Sequence, residues 1–176
     1  MSFKIISILV SSIFSLSIIS VTAIATSSTI PTATVAPAMS SNMITQVLRL
    51  VPGDDPKLKL EAYVKDHQMK AAIIIAAVGS LTNAAIRYAN EDKITVLKGH
   101  FEVVSLSGML SSTSGSHLHI SVSDKTGKTL GGHLSEGSVV YTTLEVALGE
   151  LPNLEFKREL DPASTYNELK VVPAQK

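Results

Sequence analysis

The chain contains no cysteine among its 176 residues. Disulfides, thiolate zinc sites and cysteine nucleophiles are therefore excluded. The sequence also lacks net charge, because fifteen Lys and Arg side chains balance fifteen Asp and Glu side chains. A neutral protein has no long-range field that draws it to phosphates or to an anionic membrane. Strong non-specific binding to nucleic acid is thus not expected.

Several motifs of catalytic and nucleotide-binding proteins are missing as well. The sequence has no GxxxxGK[ST] or GxGxxG pattern, which would cradle a phosphate, and no GxSxG pattern. A serine hydrolase or a phosphate-loop protein therefore has no support. No internal repeat is present. The length is sufficient for one domain with a single core.

The N-terminal residues have the pattern of an export signal. Lys4 precedes an apolar stretch, residues 5–24, and Ala23-Ile24-Ala25 forms a small-x-small cleavage site. These features predict that residues 1–25 are a signal peptide and that the mature protein is secreted or periplasmic. An apolar stretch of this length is also sufficient for an uncleaved membrane anchor, which is the alternative.

The residues after the cleavage site are expected to form a linker. Residues 26–42 contain Ser, Thr, Ala and Pro but no charge, a composition typical of disordered segments. Met43, at the end of this linker, offers an alternative start that would leave the protein inside the cell.

Residues 43–173 are predicted to form the folded domain. Residues 44–51 alternate as in a strand, and Asp54 or Asp55 followed by Pro56 is typical of a helix N-terminus. The spacing of apolar residues predicts one helix over residues 57–70. The apolar run at residues 71–78, closed by Gly79, predicts a strand buried on both faces.

A series of strand-length segments separated by turn residues follows. They cover residues 81–89, 93–98, 101–110, 117–123, 128–134, 139–148 and 154–160. One helix with seven or eight strands predicts a single α+β domain whose sheet is mostly antiparallel.

Three histidines form a candidate metal site. His117 and His119 are two residues apart, so on a strand both project from one face. Residues 124–127 predict a hairpin turn. If Gly127 forms a bulge, we expect His133 to lie opposite His117; without the bulge, His133 points to the other face. We favour the bulged register. Three neutral imidazoles with an open fourth position suit zinc or another divalent ion.

Other polar residues were considered for this site. Glu102 is a candidate hydrogen-bonding partner of the histidines, a general base or a fourth ligand, or else a carboxylate exposed at a strand edge. His67 on the helix and His100 in a turn are expected on the surface. The glycines that flank these strands are expected in turns, bulges or close backbone contacts rather than at a phosphate. They are Gly79, Gly108, Gly131 and Gly132.

Ordered motifs along residues 49–161 resemble the PPC family (plant and prokaryote conserved domain). The matching segments are R-L with P-G-D-D at 49–55, V-G-S-L at 78–81, E-V-V-S-L-S-G at 102–108, H-L-H-I at 117–120, G-G-H-L at 131–134 and F-K-R-E-L-D at 156–161. The resemblance implies an α+β fold that packs as a homotrimer, and metal binding by His117, His119 and His133. In plant members, the domain is joined to an AT-hook and works in transcription regulators.

This chain departs from the plant pattern because it has no Arg-Gly-Arg-Pro AT-hook. Binding to nucleic acid is therefore not expected. The favoured function is a trimeric module that binds a metal or a small ligand. The alternatives are a DNA-associated regulator, kept inside the cell by a start at Met43 or by a non-secretory leader, and a metal-dependent enzyme. The sequence names no substrate, and it does not identify a protein partner beyond other copies of the chain.

Overall fold

The structure is a computed structural model that describes residues 38–175. The predicted signal peptide and residues 26–37 of the predicted linker lie outside these residues. Residues 38–175 all belong to one compact unit. One helix and eight strands follow each other along the chain: β1 (Ile44–Leu50), α1 (Pro56–Asp66), β2 (Ala72–Arg87), β3 (Ile94–Ser111), β4 (Gly115–Ser123), β5 (Thr129–Leu134), β6 (Val139–Glu150), β7 (Leu154–Leu160) and β8 (Asn167–Pro173).

Six strands form the main sheet, in the order β1-β6-β2-β3-β4-β5. All pairs are antiparallel, and β5 also pairs with the end of β2, so that β2 to β5 close on themselves. Strands β7 and β8 form a separate hairpin. The predicted α+β class with a mostly antiparallel sheet and one helix is confirmed.

Helix α1 begins as predicted but ends earlier. The Asp55 carboxylate accepts a hydrogen bond from the Leu58 N–H at 3.1 Å, and Pro56 occupies the first turn. The prediction that the helix continues to residue 70 is wrong. Gln68 adopts a positive φ of 54°, and the Met69 N–H donates to the Val64 carbonyl. These contacts are those of a Schellman motif, which ends the helix.

Strand β2 differs from its prediction in length and in burial. Gly79 does not end it, because the strand continues to Arg87 and pairs there with β3 and β5. The prediction of burial on both faces is also wrong for the single chain. Ala72 and Ile74 are buried, whereas Ile75 and Val78 are 45% and 62% exposed. One face of the strand packs on the core, and no element among residues 38–175 covers the other face at Ile75 and Val78.

The core lies between the curved sheet and α1. Leu60 and Val64 of the helix are almost fully buried against residues of the sheet, and each such burial contributes about 1.5–3 kcal/mol. A second, smaller cluster joins the β7–β8 hairpin to the start of β2 through Ala71, Leu154 and Phe156. Strand β8 was not predicted.

Candidate metal centre

The turn between β4 and β5 sets the position of the third histidine. The Gly127 N–H donates to the Asp124 carbonyl, and the Asp124 N–H donates to the Lys128 carbonyl. Gly127 has a φ of 81°. This is a three-residue loop with a glycine bulge. The Asp124 carboxylate accepts hydrogen bonds from Thr126 and from the Lys128 N–H, and those from Thr126 most strongly hold its pKa below the usual value.

The register of this hairpin puts all three histidines on one face. His133 lies opposite His119, so the prediction that it lies opposite His117 is wrong by two residues along β4. The error leaves the face unchanged, because residues two apart on a strand point to the same side. The bulge at Gly127 and the placement of the three histidines on one face are confirmed.

The three imidazoles are close enough to share an ion. His119 Nε2 and His133 Nδ1 are 3.2 Å apart, and one nitrogen from each of the three rings lies within 4.8 Å of the others. Two nitrogens bound at about 2.0–2.1 Å to one tetrahedral ion are separated by about 3.3 Å. The first pair already has this separation, and the His117 nitrogen lies within 4.8 Å of both.

The surroundings favour the neutral form of two of these rings. Partial burial, followed by the charge of Arg158, lowers the pKa of His117. Burial, followed by the charge of Arg87, lowers the pKa of His133. A metal ion binds the neutral imidazole, so a lowered pKa reduces the competition from protons. The donor set therefore suits a divalent ion of intermediate softness such as zinc.

The cluster is surrounded by charged residues for which the sequence predicts no role at this site. Arg87 on β2 is paired directly with His133. Arg158 and Glu168, from the β7–β8 hairpin, line the same surface as His117. Arg158 belongs to one of the quoted family motifs, but no spacing rule connects it to histidines some forty residues away. Only the folding of the hairpin onto the sheet brings them together.

Glu102 is not brought to the histidines. It lies opposite Ser123, four residues along β4 from His119, which corresponds to about 13 Å at 3.3 Å per residue. The group of potential ligands found among residues 38–175 consists of the three histidines alone. The carboxylate whose charge reaches His117 is instead that of Glu168.

The two remaining histidines are exposed, as predicted. His67 caps the C-terminus of α1, and its ring stacks on Tyr63. His100 was expected in a turn but lies within β3, where its ring stacks on Tyr141 at 3.9 Å.

The glycines near the site allow close backbone contacts, as predicted. A Cβ added to Gly108 would lie 2.1 Å from the His117 carbonyl oxygen, and one added to Gly79 would lie 2.1 Å from the Thr143 carbonyl oxygen. At Gly131 and Gly132 the nearest backbone oxygens would be 2.7 and 2.6 Å away. Gly108 in particular lets β3 approach β4 where His117 is held.

Comparison with known proteins places this fold among its relatives. The chain is 41% identical over 126 residues to the bifunctional protein GlmU of Synechococcus sp., but this match covers 72% of the chain and only 20% of that protein. A hypothetical protein from Salmonella enterica has a solved structure with a TM-score of 0.76 and 44% identity. That likeness covers 78% of this chain and 99% of the other, so the Salmonella protein is almost entirely this domain.

A third protein, the metal-containing protein from Archaeoglobus fulgidus, has the same fold. Its structure matches with a TM-score of 0.64 and 24% identity, covering 77% of this chain and 99% of its own.

No helix among residues 38–175 has the length and apolar character needed to cross a membrane. The model of the Plants and Prokaryotes Conserved (PCC) domain, the PPC domain of the sequence analysis, matches residues 38–152. The chain belongs to this family.

Proposed function

We propose that this domain binds one zinc ion per subunit through His117, His119 and His133 and works as a homotrimeric ligand-binding module. The observation that carries the proposal is the convergence of three imidazole nitrogens within 4.8 Å on one strand pair. The A. fulgidus protein, at 24% identity, shares the fold, and the groups that would bind the metal are this chain's own histidines. Three protein ligands leave one zinc position open, as in sites that bind a further molecule.

The ligand set can be tested one histidine at a time. We expect the domain of residues 37–176 to retain about one zinc ion per chain after incubation and removal of free metal, measured by elemental analysis. His117→Ala, His119→Ala and His133→Ala should each lose most of it, since two imidazoles bind zinc far more weakly than three. His67→Ala and His100→Ala are matched controls, because both remove an exposed histidine outside the cluster, and they should retain the metal. A wild-type domain without zinc at neutral pH would refute the proposal.

The trimer is supported by an exposed apolar surface, which we define as Val47, Ile75, Val78 and Ala147. Val47 is 78% exposed and lies opposite Ala147 on the outer face of the sheet. Ile75 and Val78 extend the surface along β2. Exposed apolar patches of this kind mark interfaces, and the number of three subunits comes from the family resemblance. An assembly that covers this surface would also explain why β2 has the composition of a strand buried on both faces.

Native mass tests the trimer. Sedimentation equilibrium should give three chains per particle, and Val47→Glu combined with Val78→Glu should dissociate it, because the interface would bury two charges. Leu58→Glu places a charge at an exposed apolar position of α1 and should leave the mass unchanged. A monomeric wild type at micromolar concentration would contradict the trimer.

Export is the remaining part of the proposal. It is supported by Lys4, the apolar residues 5–24 and Ala25 at the expected cleavage site. N-terminal sequencing of the protein from its native source should find Thr26 first. A chain that starts at Met1 in the membrane fraction would indicate an anchor, and a soluble chain that starts at Met43 would contradict export.

A further inference from the structure

A cleft of about 830 Å³ opens beside the three histidines. His117 and His133 lie on its wall, together with Arg87, Arg158 and Lys57. Its size is within the range of pockets that hold small metabolites. Hydroxyl and amide groups add to the polar part of the lining, and they include Ser135, Asn90 and Asn167.

The three basic residues of the cleft are not equivalent. Lys57 forms ion pairs with Glu61 at 2.9 Å and with Glu136 at 3.2 Å, so its charge is compensated. Among the described residues, no carboxylate lies within 4.0 Å of the guanidinium of either Arg87 or Arg158. Arg87 uses one nitrogen to donate to the Glu91 carbonyl at 3.1 Å. Since a guanidinium has five N–H donors, both arginines have several left.

The fold directs Arg158 towards the histidines. Leu154 and Phe156 of β7 are buried, and Arg158 is next in the same alternation, so the three share one face of the strand. Phe156 is fixed on both sides, since its N–H donates to the Lys70 carbonyl and its carbonyl accepts from Ser114 Oγ at 2.7 Å. Arg158 is half-buried. Together with His117, it lines both this cleft and a second pocket.

Arg87 belongs to β2 of the main sheet rather than to the β7–β8 hairpin. It is paired across strands with His133, which in turn is paired with His119. Paired residues of antiparallel strands point to the same face. Arg87 is half-buried. The two arginines therefore line the same cleft as His117 and His133, one from the closed sheet and one from the β7–β8 hairpin.

We propose that this cleft binds a small anionic metabolite through a carboxylate or phosphate group, with one oxygen at the open zinc position and the others bound by Arg87 and Arg158. This inference rests on the proposed metal site. Three neutral imidazoles leave the positive charge of the ion uncompensated. Near the ion, the single negative charge of Glu168 faces the two positive charges of Arg87 and Arg158. An oxyanion would occupy the open coordination position of the ion and would compensate the excess positive charge. The planar guanidinium matches the geometry of a carboxylate or a phosphate.

Cobalt in place of zinc makes the test visible, because the absorption of Co²⁺ changes with its ligands. We expect inorganic phosphate or succinate, added at constant ionic strength with sodium perchlorate, to change the spectrum of the cobalt-loaded domain saturably. Glycerol should have no effect. Arg87→Gln and Arg158→Gln should each raise the Kd about tenfold, because each removes charge-assisted hydrogen bonds. Arg158→Lys should restore binding in part, since it keeps the charge but loses the planar fork.

A matched control removes a charge elsewhere. Lys65 is exposed on α1, away from the cleft, so Lys65→Gln should bind the anion as the wild type does. The anion that binds more tightly identifies the carboxylate or the phosphate as the preferred group. If the domain binds cobalt stoichiometrically but neither anion changes the spectrum, or if the arginine variants bind like the wild type, the anion proposal fails while the metal proposal stands. If elemental analysis shows no metal, both fail.

Discussion

Replacing Gly108 by alanine should destabilise the domain more than replacing any turn glycine, because Gly108 is the residue at which β3 approaches β4, the strand that holds His117. It has a φ of 144°, and an added Cβ would lie 2.1 Å from the His117 carbonyl oxygen and 2.8 Å from the Leu118 Cα. Both contacts are with backbone, so no rotation of a side chain relieves them. The two strands must move apart, or β3 must change its conformation.

The magnitude has two contributions. A residue other than glycine in this backbone region costs about 1–3 kcal/mol. Forcing well-packed strands apart costs about 1–3 kcal/mol more. The sum is about 2–6 kcal/mol, which for a domain of this size corresponds to a fall in Tm of roughly 8–25 °C.

Thermal unfolding followed by circular dichroism measures this effect on the metal-free domain. Gly127→Ala is the matched control: Gly127 also has a positive φ, of 81°, but no atom lies within 4 Å of an added Cβ. It should cost only the backbone strain of about 1–2 kcal/mol. Equal Tm values for the two variants would refute the close packing of β3 on β4. If Gly108→Ala still folds, its zinc affinity should fall as well, because His117 moves with its carbonyl.

Two further predictions concern the domain in solution. The metal-free domain should lose stability as the pH falls below the ordinary histidine value of 6.5, because the lowered pKa values of His117 and His133 make the unfolded chain bind more protons than the folded one. The Tm measured between pH 7.5 and 5.5 should show this slope, and His117→Asn with His133→Asn should flatten it; an equally steep slope in the variant would contradict the assignment. Duplex DNA should bind weakly and without sequence preference, with a small salt dependence in fluorescence anisotropy, since the chain has no net charge. Tight binding to AT-rich DNA at physiological salt would contradict this.

The elements with strong local signals could be predicted from the sequence. Asp55 and Pro56 marked the start of α1, and the turn residues Asp124 and Gly127 marked the hairpin that returns His133. These signals work because capping and turn geometry depend on a few neighbouring residues. The side of the sheet was correct for all three histidines although the register was wrong, because that side depends only on whether residues are an even number apart.

Features that depend on distant contacts could not be predicted. A glycine after an apolar run is typical of a strand end, but Gly79 lies within β2 because β6 approaches it closely. Arg87 and Arg158 reach the histidines only through the pairing of β2 with β5 and the packing of Phe156 on Ala71. No local pattern encodes either contact. The carboxylate of Glu102 has the right chemistry for a metal site, but the register places it too far along the sheet from the histidines.

Anomalous diffraction at the zinc absorption edge, from crystals of the zinc-loaded domain, tests the metal centre most directly. The proposed site predicts one anomalous peak per chain, at about 2.0–2.1 Å from one nitrogen each of His117, His119 and His133. A map with no peak between these three rings, or with zinc bound only at His67 or His100, would contradict it.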